Sequence, residues 1–308
     1  MDKVICIVGP TGIGKTKLSI ALAHYLNTDV INGDAIQVFK EVDILSAKAT
    51  KEEQDGIKHH LLDYLNVNET LDVATFKEEA STLIKNLNKE DKIPIIVGGS
   101  GLYLKSLLYD YTFDKITERQ SDIITKYQNY SNEELYSYLE KIDLPAARIL
   151  HPNNRKRVLR AIEIYEISKV KKSDFIAQQK HELEFDALII GLEMPREKLY
   201  DRINLRVDKM VEDGLVTEVK NLHEKYHDQN HQVFQAIGYK ELLPFIDKEV
   251  TLSEALDKIK QNSRRYAKKQ ITWFKNQMDV NWIESDIENF DDTINKAKNI
   301  VKDFMTNE

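Results

Sequence analysis

Eight residues near the start of the chain constrain its fold more than any other feature. In order they are Gly9, Pro10, Thr11, Gly12, Ile13, Gly14, Lys15 and Thr16. An apolar run at residues 4–8 precedes them, and an amphipathic helical pattern follows. A strand, a glycine-rich turn and a helix in this order form a phosphate-binding loop, in which backbone N–H groups surround an anion. A tight strand-to-helix turn would explain the glycines but not the lysine and threonine.

The last two residues of the motif have distinct expected roles. Lys15 supplies a positive charge to the phosphates, and the Thr16 hydroxyl is placed to hold Mg²⁺. The positive N-terminal end of the following helix adds to this attraction. We therefore expect the whole loop to bind a phosphate or diphosphate group, with Thr16 as the metal ligand.

The pattern along the chain predicts an α/β fold. Short apolar strands alternate with helical segments up to about residue 110, as in a parallel sheet covered by helices. No glycine occurs from residue 112 to residue 184, where helical patterns dominate. We predict a P-loop core with C-terminal helices, formed by residues 1–111 and 186–308, and an all-helical insertion at residues 112–185.

Composition narrows the class of protein further. Cys6 is the single cysteine of 308 residues, which excludes a disulfide framework and a cysteine-based zinc site and predicts a reducing, cytoplasmic environment. No apolar stretch is long enough to span a membrane, and no cationic leader precedes the first strand, so we expect a soluble protein. No heptad seam is present, and we expect a monomer.

Charge is unevenly distributed along the chain. The net charge of −7 argues by itself against a nucleic-acid partner. Basic residues nevertheless fill four of six positions at 155–160 and again at 264–269. Either cluster alone suggests a solvated helix face, but both together favour an anionic partner because phosphate contacts are local.

Asp34 is the carboxylate that follows a predicted strand near the phosphate-binding loop. Hydrolytic P-loop enzymes usually end a neighbouring strand with a metal-binding acid, but the strong apolar run at 93–97 ends instead in glycines and Ser100. The loops after parallel strands meet at one crevice, so Asp34 faces the phosphate loop there. One isolated carboxylate suits a general base; a turn or helix cap is the common structural alternative.

Three further groups of residues are candidates for a role. Arg202, Arg206 and Lys209 line one stripe of a helix that either solvates a surface or reaches back to the phosphate loop. Tyr266, Gln270 and Trp273 share a face of a later helix. His59 and His60 have no recognisable third metal ligand, so we predict a structural role for them.

In a series of ordered motifs the chain resembles the bacterial tRNA dimethylallyltransferases. The motifs lie at residues 9–16, 32–38, 59–63, 97–103, 151–154 with 157–163, 199–203 with 206–208, 236–241 and 266–274. So many ordered motifs are far more specific than the phosphate loop, which many nucleotide enzymes share. Two departures are Ala35, where the family often has serine, and Ser100, where threonine is commoner.

The resemblance implies transfer of a dimethylallyl group from dimethylallyl diphosphate to N6 of the adenosine 3′-adjacent to the anticodon, in tRNAs that read codons beginning with U. Lys15, Thr16 with Mg²⁺ and the loop amides would stabilise the departing diphosphate, and Arg206 would clamp it. Asp34 would accept a proton from the adenine amine.

The same resemblance implies contacts with the tRNA anticodon stem-loop, whose target adenosine must be extruded to reach the crevice. The expected tRNA-binding residues are Asp34, Ala35, Ile36, Gln37, Ser100, Arg119, Lys156, Arg157, Val158, Leu159 and Arg160. Because alanine lacks the hydroxyl of serine, the side chain of Ala35 cannot form a hydrogen bond with the RNA. The cluster at 264–269 fits either RNA binding or packing.

Three alternatives use the same motifs differently. A small-molecule kinase would bind ATP on the loop and turn it over without RNA. An adenylate prenyltransferase would have no use for a basic helical insertion. A non-catalytic RNA-binding protein with a nucleotide switch would tolerate loss of Asp34.

Overall fold

The computed structural model of the chain divides into two compact units. The structure describes residues 1–110, 121–177, 181–226 and 231–306. Unit 1 comprises Met1–Leu108 and Phe185–Glu308, and unit 2 comprises Tyr109–Glu184. The roles predicted for the P-loop core and the helical insertion stay predictions, because a division into compact units does not test them.

A six-stranded sheet forms the centre of unit 1. Its strands are β1 (Lys3–Val8), β2 (Val30–Asn32), β3 (His59–His60), β4 (Ile95–Val97), β5 (Asp186–Glu193) and β6 (Asn281–Glu284). Their spatial order is β3-β2-β4-β1-β5-β6, and neighbouring strands pair in parallel. Five of the six residues of β1 are buried, as expected of a central strand covered on both faces. The predicted α/β class is confirmed.

Helices connect the strands and form unit 2. In chain order they are α1 (Lys15–Leu26), α2 (Lys51–Gln54), α3 (Val73–Lys89), α4 (Gly101–Leu108), α5 (Ser121–Tyr127), α6 (Asn132–Ile142), α7 (Leu144–Ile149), α8 (Arg155–Ser168), α9 (Lys172–Ala177), α10 (Arg196–Glu212), α11 (Leu215–Tyr226), α12 (Tyr239–Ile246), α13 (Leu252–Gln277) and α14 (Phe290–Thr306). A short 3₁₀ helix spans Gln232–Gln235. Helices α5 to α9 belong to unit 2.

The core of unit 1 holds the phosphate loop in place. Ile13, in the middle of the loop, is buried with Leu18 of α1, Ile203 of α10 and Phe290 of α14. The Ser285 hydroxyl, just after β6, donates a hydrogen bond to the Ile13 carbonyl at 3.2 Å. Elements from both ends of the chain therefore fix the same short loop.

Unit 2 is built on its own apolar core. That core consists of Tyr127, Leu135, Leu139, Ala147, Val158, Ala161 and Ile162. A capping box between Ser131 and Glu134 starts α6, because the hydroxyl accepts from the Glu134 N–H and the carboxylate accepts from the Ser131 N–H. Glu166 accepts hydrogen bonds from the Tyr138 and Tyr127 hydroxyls, which lower the pKa of its carboxyl to about 2.

Cys6 lies inside β1, where burial raises the pKa of its thiol and makes it chemically inert. Among the helices of the described ranges, none combines the length and apolar character needed to cross a membrane.

Candidate active site

The phosphate loop lies between the end of β1 and the start of α1. Gly12 and Gly14 have φ angles of +80° and +102°, in the left-handed region that favours glycine. A Cβ atom at Gly14 would also lie 2.7 Å from the ring of Phe290. Both the turn and the packing behind it therefore require glycine at this position.

The side chain of Lys15 folds back over the phosphate loop. Its ammonium donates hydrogen bonds to the carbonyl oxygens of Gly9 at 3.0 Å and Pro10 at 2.8 Å. Burial, and then repulsion from Arg206, lower the pKa of Lys15 to about 8, while the Asp34 carboxylate opposes the shift. The protonated lysine is thus held at the loop, ready to attract an anion.

Thr16 is exposed on the first turn of α1, and its hydroxyl has no hydrogen-bond partner in the described part of the chain. The described residues contain no group of three or more His, Cys, Asp or Glu side chains placed to hold a metal ion. Mg²⁺ at a diphosphate site is typically held by one or two protein oxygens together with phosphate oxygens and water. One free hydroxyl beside a phosphate loop fits that donor set.

Two arginines of α10 reach the loop from outside it. The Arg206 guanidinium donates to the Thr11 hydroxyl at 3.1 Å, and the Arg202 guanidinium donates to the Gly12 carbonyl at 2.9 Å. Lys209, the third member of the predicted stripe, is exposed and pairs with Asp213 at 2.9 Å. The stripe thus reaches the phosphate loop through two of its three members.

Arg206 is half-buried. Burial lowers its pKa, whereas attraction by the Asp34 and Glu53 carboxylates raises it. Its second nitrogen donates to the Ala47 carbonyl at 3.4 Å. The Thr11 hydroxyl and the Ala47 carbonyl, which lie on different loops, together hold the guanidinium in position.

Asp34 follows β2, at the carboxyl edge of the sheet. Its Oδ1 accepts hydrogen bonds from the backbone N–H groups of Ile36 at 2.9 Å and Gln37 at 3.4 Å, so it also forms the turn considered as its structural alternative. Its Oδ2 accepts none from the described residues. Burial lowers the pKa of Lys15 and of Arg206, and the negative charge of Asp34 opposes both shifts, as expected of a carboxylate near these two cations.

Neighbouring strands hold the Asp34 turn in position. Asn32 is buried; its Oδ1 accepts from the Asp34 N–H at 3.1 Å, and its amide donates to the Leu61 carbonyl at 2.9 Å. The Ser100 hydroxyl, predicted to bind tRNA, accepts from the Ala35 N–H at 3.0 Å. Ser100 therefore connects the turn after β2 with the turn after β4.

The rest of this turn packs against the following loop. Gln37, also predicted to bind tRNA, donates to the carbonyls of Ser46 at 3.2 Å and Ala47 at 3.3 Å. Ala35 and Ile36 are half-buried. The Glu218 carboxylate, which sequence analysis did not single out, accepts from three successive N–H groups at residues 43–45, at 2.8 to 3.0 Å.

Gln270 of α13 was placed on a helix face by the sequence but was not assigned to the site. Its side chain is buried and contacts two loops: its Oε1 accepts from the Thr11 N–H at 3.1 Å, and its Nε2 donates to the Gly99 carbonyl at 3.0 Å. Nothing in the spacing of this helix indicates that it meets residue 11. A buried glutamine between two glycine-rich loops is recognisable only in the folded chain.

Tyr266, one turn earlier on the same face of α13, stays 39% exposed. Desolvation and the charge of Asp34 raise the pKa of its hydroxyl to about 12, against a smaller opposing contribution from Gln270. The Tyr266 hydroxyl therefore lies close enough to the candidate base to be affected by its charge.

The residues of α8 predicted to bind tRNA differ in accessibility. Lys156 and Arg157 are exposed, whereas Leu159 is partly buried. Val158 is fully buried in the core of unit 2, so its side chain packs inside the protein. Arg160 pairs with Glu163 at 2.9 Å.

The remaining candidates are Arg155 of the first basic cluster, the histidine pair and Arg119. Arg155 donates to the backbone carbonyls of residues 127, 128 and 130, so it closes the end of α5. His60 pairs with Asp29 at 2.8 Å, and His59 bonds to the Ile57 carbonyl at 2.9 Å. Arg119 lies outside the described residues.

Known proteins resemble this chain over most of its length. The family model for IPP transferases matches residues 37–277. A tRNA dimethylallyltransferase of Anoxybacillus flavithermus is 48% identical over 297 residues, covering 95% of this chain and 92% of the relative. A protein of the same name from Staphylococcus carnosus is 46% identical over 291 residues, covering 91% and 90% of the two chains.

Solved structures agree with the sequence comparison. A tRNA delta(2)-isopentenylpyrophosphate transferase from Staphylococcus epidermidis superposes with a TM-score of 0.73 at 41% identity, covering 98% of this chain and 99% of that one. A eukaryotic dimethylallyltransferase acting on tRNA superposes with a TM-score of 0.87 at 32% identity, covering 100% of this chain and 80% of that one.

Proposed function

The chain belongs to the IPP transferase family, and on that premise we propose that it is a tRNA dimethylallyltransferase. It transfers the dimethylallyl group of dimethylallyl diphosphate to N6 of the adenosine 3′-adjacent to the anticodon, in tRNAs that read codons beginning with U. The observation that carries the proposal is the position of Asp34 after β2, at the same carboxyl edge of the parallel sheet as the phosphate loop, whose Thr11 accepts a hydrogen bond from Arg206.

The main chemical requirement of this reaction is to stabilise the departing diphosphate. The allylic C–O bond breaks while positive character develops on the allylic carbon and negative charge on the diphosphate. Lys15, the loop N–H groups and Arg206 stabilise that charge because they are already in place before the reaction. Arginine suits the task, since its fork donates two parallel N–H bonds to a phosphate.

The adenine amine requires a proton acceptor. Its lone pair is delocalised into the ring, so loss of an N–H proton to a carboxylate makes it a better nucleophile. Oδ2 of Asp34 is available for this step because Oδ1 is occupied by the Ile36 and Gln37 N–H groups. The N6–C bond forms, diphosphate leaves, and Asp34 carries the released proton.

Mg²⁺ is part of the proposal. Thr16 would hold the ion through its hydroxyl, and the ion would neutralise charge on the diphosphate. The accessible hydroxyl of Thr16, at the start of α1, supports this assignment.

The tRNA is the second substrate of the proposed reaction. Single-stranded loops with splayed bases are the usual targets of RNA-reading proteins, and the target adenosine is extruded towards Asp34. Unit 2 contributes the exposed Lys156 and Arg157, which suit backbone phosphates. A cytoplasmic location is part of the same proposal, supported by the single cysteine, Cys6, which is free and buried. A monomeric state is also proposed, because the sequence contains no heptad seam.

A direct assay tests the proposal. Purified protein is incubated with Mg²⁺, unmodified tRNA and labelled dimethylallyl diphosphate, with ATP in a parallel reaction, and the nucleosides are analysed by mass. We expect a dimethylallyl mass gain on one adenosine of the anticodon loop, without any need for ATP. RNA-independent ATP consumption with no mass gain would favour the kinase, and a gain on free adenylate alone would favour the adenylate prenyltransferase.

A further inference from the structure

Gln270 joins the two glycine-rich loops at the carboxyl edge of the sheet. Its amide bridges the Thr11 N–H of the phosphate loop and the Gly99 carbonyl after β4. Only 6% of the residue is exposed, so water cannot replace either bond without opening the packing. The side chain thus ties α13 to both walls of the crevice.

The bridge continues through Thr11 to an arginine of the site. The backbone of Thr11 bonds to Gln270 and its hydroxyl accepts from Arg206, so the residue is held from both sides. Because the Thr11 N–H is already bonded, it is not one of the donors that the loop offers to a diphosphate. Thr11 acts instead as a link between α13 and α10.

The chemistry of the bridge requires an amide. One end must accept from an N–H group and the other must donate to a carbonyl, which glutamine alone does at this length without a charge. The fit is close: a Cβ atom on Gly99 would lie 2.3 Å from Nε2 of Gln270, and one on Gly101 would lie 2.3 Å from the Trp273 ring. The glycines of the β4 loop therefore allow α13 to approach.

We propose that Gln270 is a positioning residue that holds Thr11, and through it Arg206, in the geometry that stabilises the departing diphosphate. This inference rests on the proposed prenyl transfer. It assigns Gln270 a role in the rate of the chemical step and not in contact with the diphosphate itself.

Replacement of the amide by an apolar side chain of similar length is the first test. Gln270→Met removes both hydrogen bonds while it keeps most of the volume. We expect kcat to fall on the order of ten- to a hundredfold, as for a lost interaction made mainly in the transition state. The KM for dimethylallyl diphosphate should change by less than about threefold, since Lys15 and the remaining loop donors still bind it.

A matched control exists on the same helix. Gln277 donates no bond to the loops; its Oε1 accepts from Lys105 at 2.8 Å, and the residue is exposed. Gln277→Met removes one glutamine hydrogen bond from α13 but none from the site. We expect it to keep the wild-type kcat, and the thermal unfolding midpoints of both variants are measured beside the kinetics.

A second variant separates positioning from general packing. In Gln270→Glu the ionised carboxylate accepts from Thr11 but has no proton to give to the Gly99 carbonyl. When the carboxyl is protonated, its O–H donates to that carbonyl and both bonds return. Burial favours the neutral acid, so the ratio of variant to wild-type kcat should rise as pH falls from 8 towards 5.5.

The pH test is a ratio because other titrating groups face the same crevice. Asp34, Lys15, Arg206 and Tyr266 are present in both proteins, so their own titrations largely cancel. The corresponding ratio for Gln270→Met should stay flat with pH. A Gln270→Glu ratio that is equally flat, or a Gln270→Met enzyme with wild-type kcat, would overturn the inference.

The outcomes also distinguish this inference from the proposed function on which it rests. Wild-type protein that transfers no dimethylallyl group to tRNA would overturn the proposed function, and the role of Gln270 with it. Wild-type transfer together with unaffected Gln270 variants would overturn the role of Gln270 alone.

Discussion

The Arg206 guanidinium donates a hydrogen bond to the Thr11 hydroxyl at 3.1 Å, across 195 positions of the sequence. The bond joins a helix that follows β5 to a loop that follows β1, and it places a cation beside the phosphate-binding turn. Since the Asp34 charge attracts the same guanidinium, the proposed base and the proposed clamp are electrostatically connected.

The effects of substituting Thr11 and Arg206 are expected to be coupled. Thr11→Val and Arg206→Lys should each lower kcat/KM for dimethylallyl diphosphate by about ten- to a hundredfold, because the former removes the acceptor and the latter the fork. The double variant should be far less impaired than the product of the two effects, since both break the same contact. Thr11→Ser, which keeps the hydroxyl, should retain most activity; strictly multiplicative losses would contradict the pairing.

Substitution of Asp34 tests the base without removing the turn. In Asp34→Asn the amide oxygen can still accept from the Ile36 and Gln37 N–H groups, so the local fold should survive. We expect turnover to fall about a hundred- to ten-thousandfold, as for loss of a positioned base. The dissociation constants for tRNA and diphosphate should stay close to wild type in titrations. Full activity in this variant would remove Asp34 from the role.

The pH dependence of kcat/KM, which reflects the free enzyme, should follow the ionisation of Lys15. Its pKa is lowered to about 8, so the ammonium is charged below that pH and becomes neutral as the pH rises through it. Attraction of the diphosphate is then lost, and kcat/KM for dimethylallyl diphosphate should decline above about pH 8. In Lys15→Arg the decline should vanish from the pH profile, whatever the absolute rate, because guanidinium stays charged. A wild-type profile that stays level to pH 9.5 would contradict this assignment.

Lys156 and Arg157 should carry part of the salt dependence of tRNA binding. Both are exposed on unit 2, so alanine substitution should weaken binding without lowering the unfolding temperature. Each lost phosphate contact should reduce the slope of log affinity against log salt by about 1. Arg155→Ala is the contrast: it frees three backbone carbonyls and should destabilise unit 2. Wild-type affinity that does not respond to salt would exclude a phosphate-based interface.

Gly98 should tolerate no side chain. A Cβ atom there would lie 2.2 Å from the backbone oxygen of Gly33, and neither backbone segment can rotate away as a side chain could. We expect Gly98→Ala to cost about 3 kcal/mol or more of unfolding free energy, at the upper end for overpacking. Gly56→Ala meets no atom within 4 Å and should cost only the strain of its φ of +76°, about 1 to 2 kcal/mol. Equal unfolding midpoints for the two variants would contradict this.

Local patterns predicted the parts of the site that lie next to each other in the sequence. The strand, turn and helix around the phosphate loop and the strand before Asp34 depend on spacings of a few residues, and the structure confirms each of these local elements. The parallel sheet also follows from alternation of strands and helices, because such strands bury both faces.

Contacts between distant segments could not be predicted in this way. Gln270 meets Thr11 across 259 positions, and Glu218 meets the backbone at residues 43–45 across about 174. Both depend on how helices pack on the sheet, which no short pattern specifies. The buried face of α8 is another example: Val158 points into the core beside exposed Lys156 and Arg157, a distinction of one helical position.

Ser285 and Phe290 brace the phosphate loop from the far end of the chain, and this has a consequence for biosynthesis. Ser285 follows Ile13 of the loop by 272 positions, so the nascent chain carries the motif long before it carries these supports. Contacts of such large sequence separation also slow folding. Diphosphate recognition should therefore develop only after residues 285–290 have been synthesised and have packed against the loop.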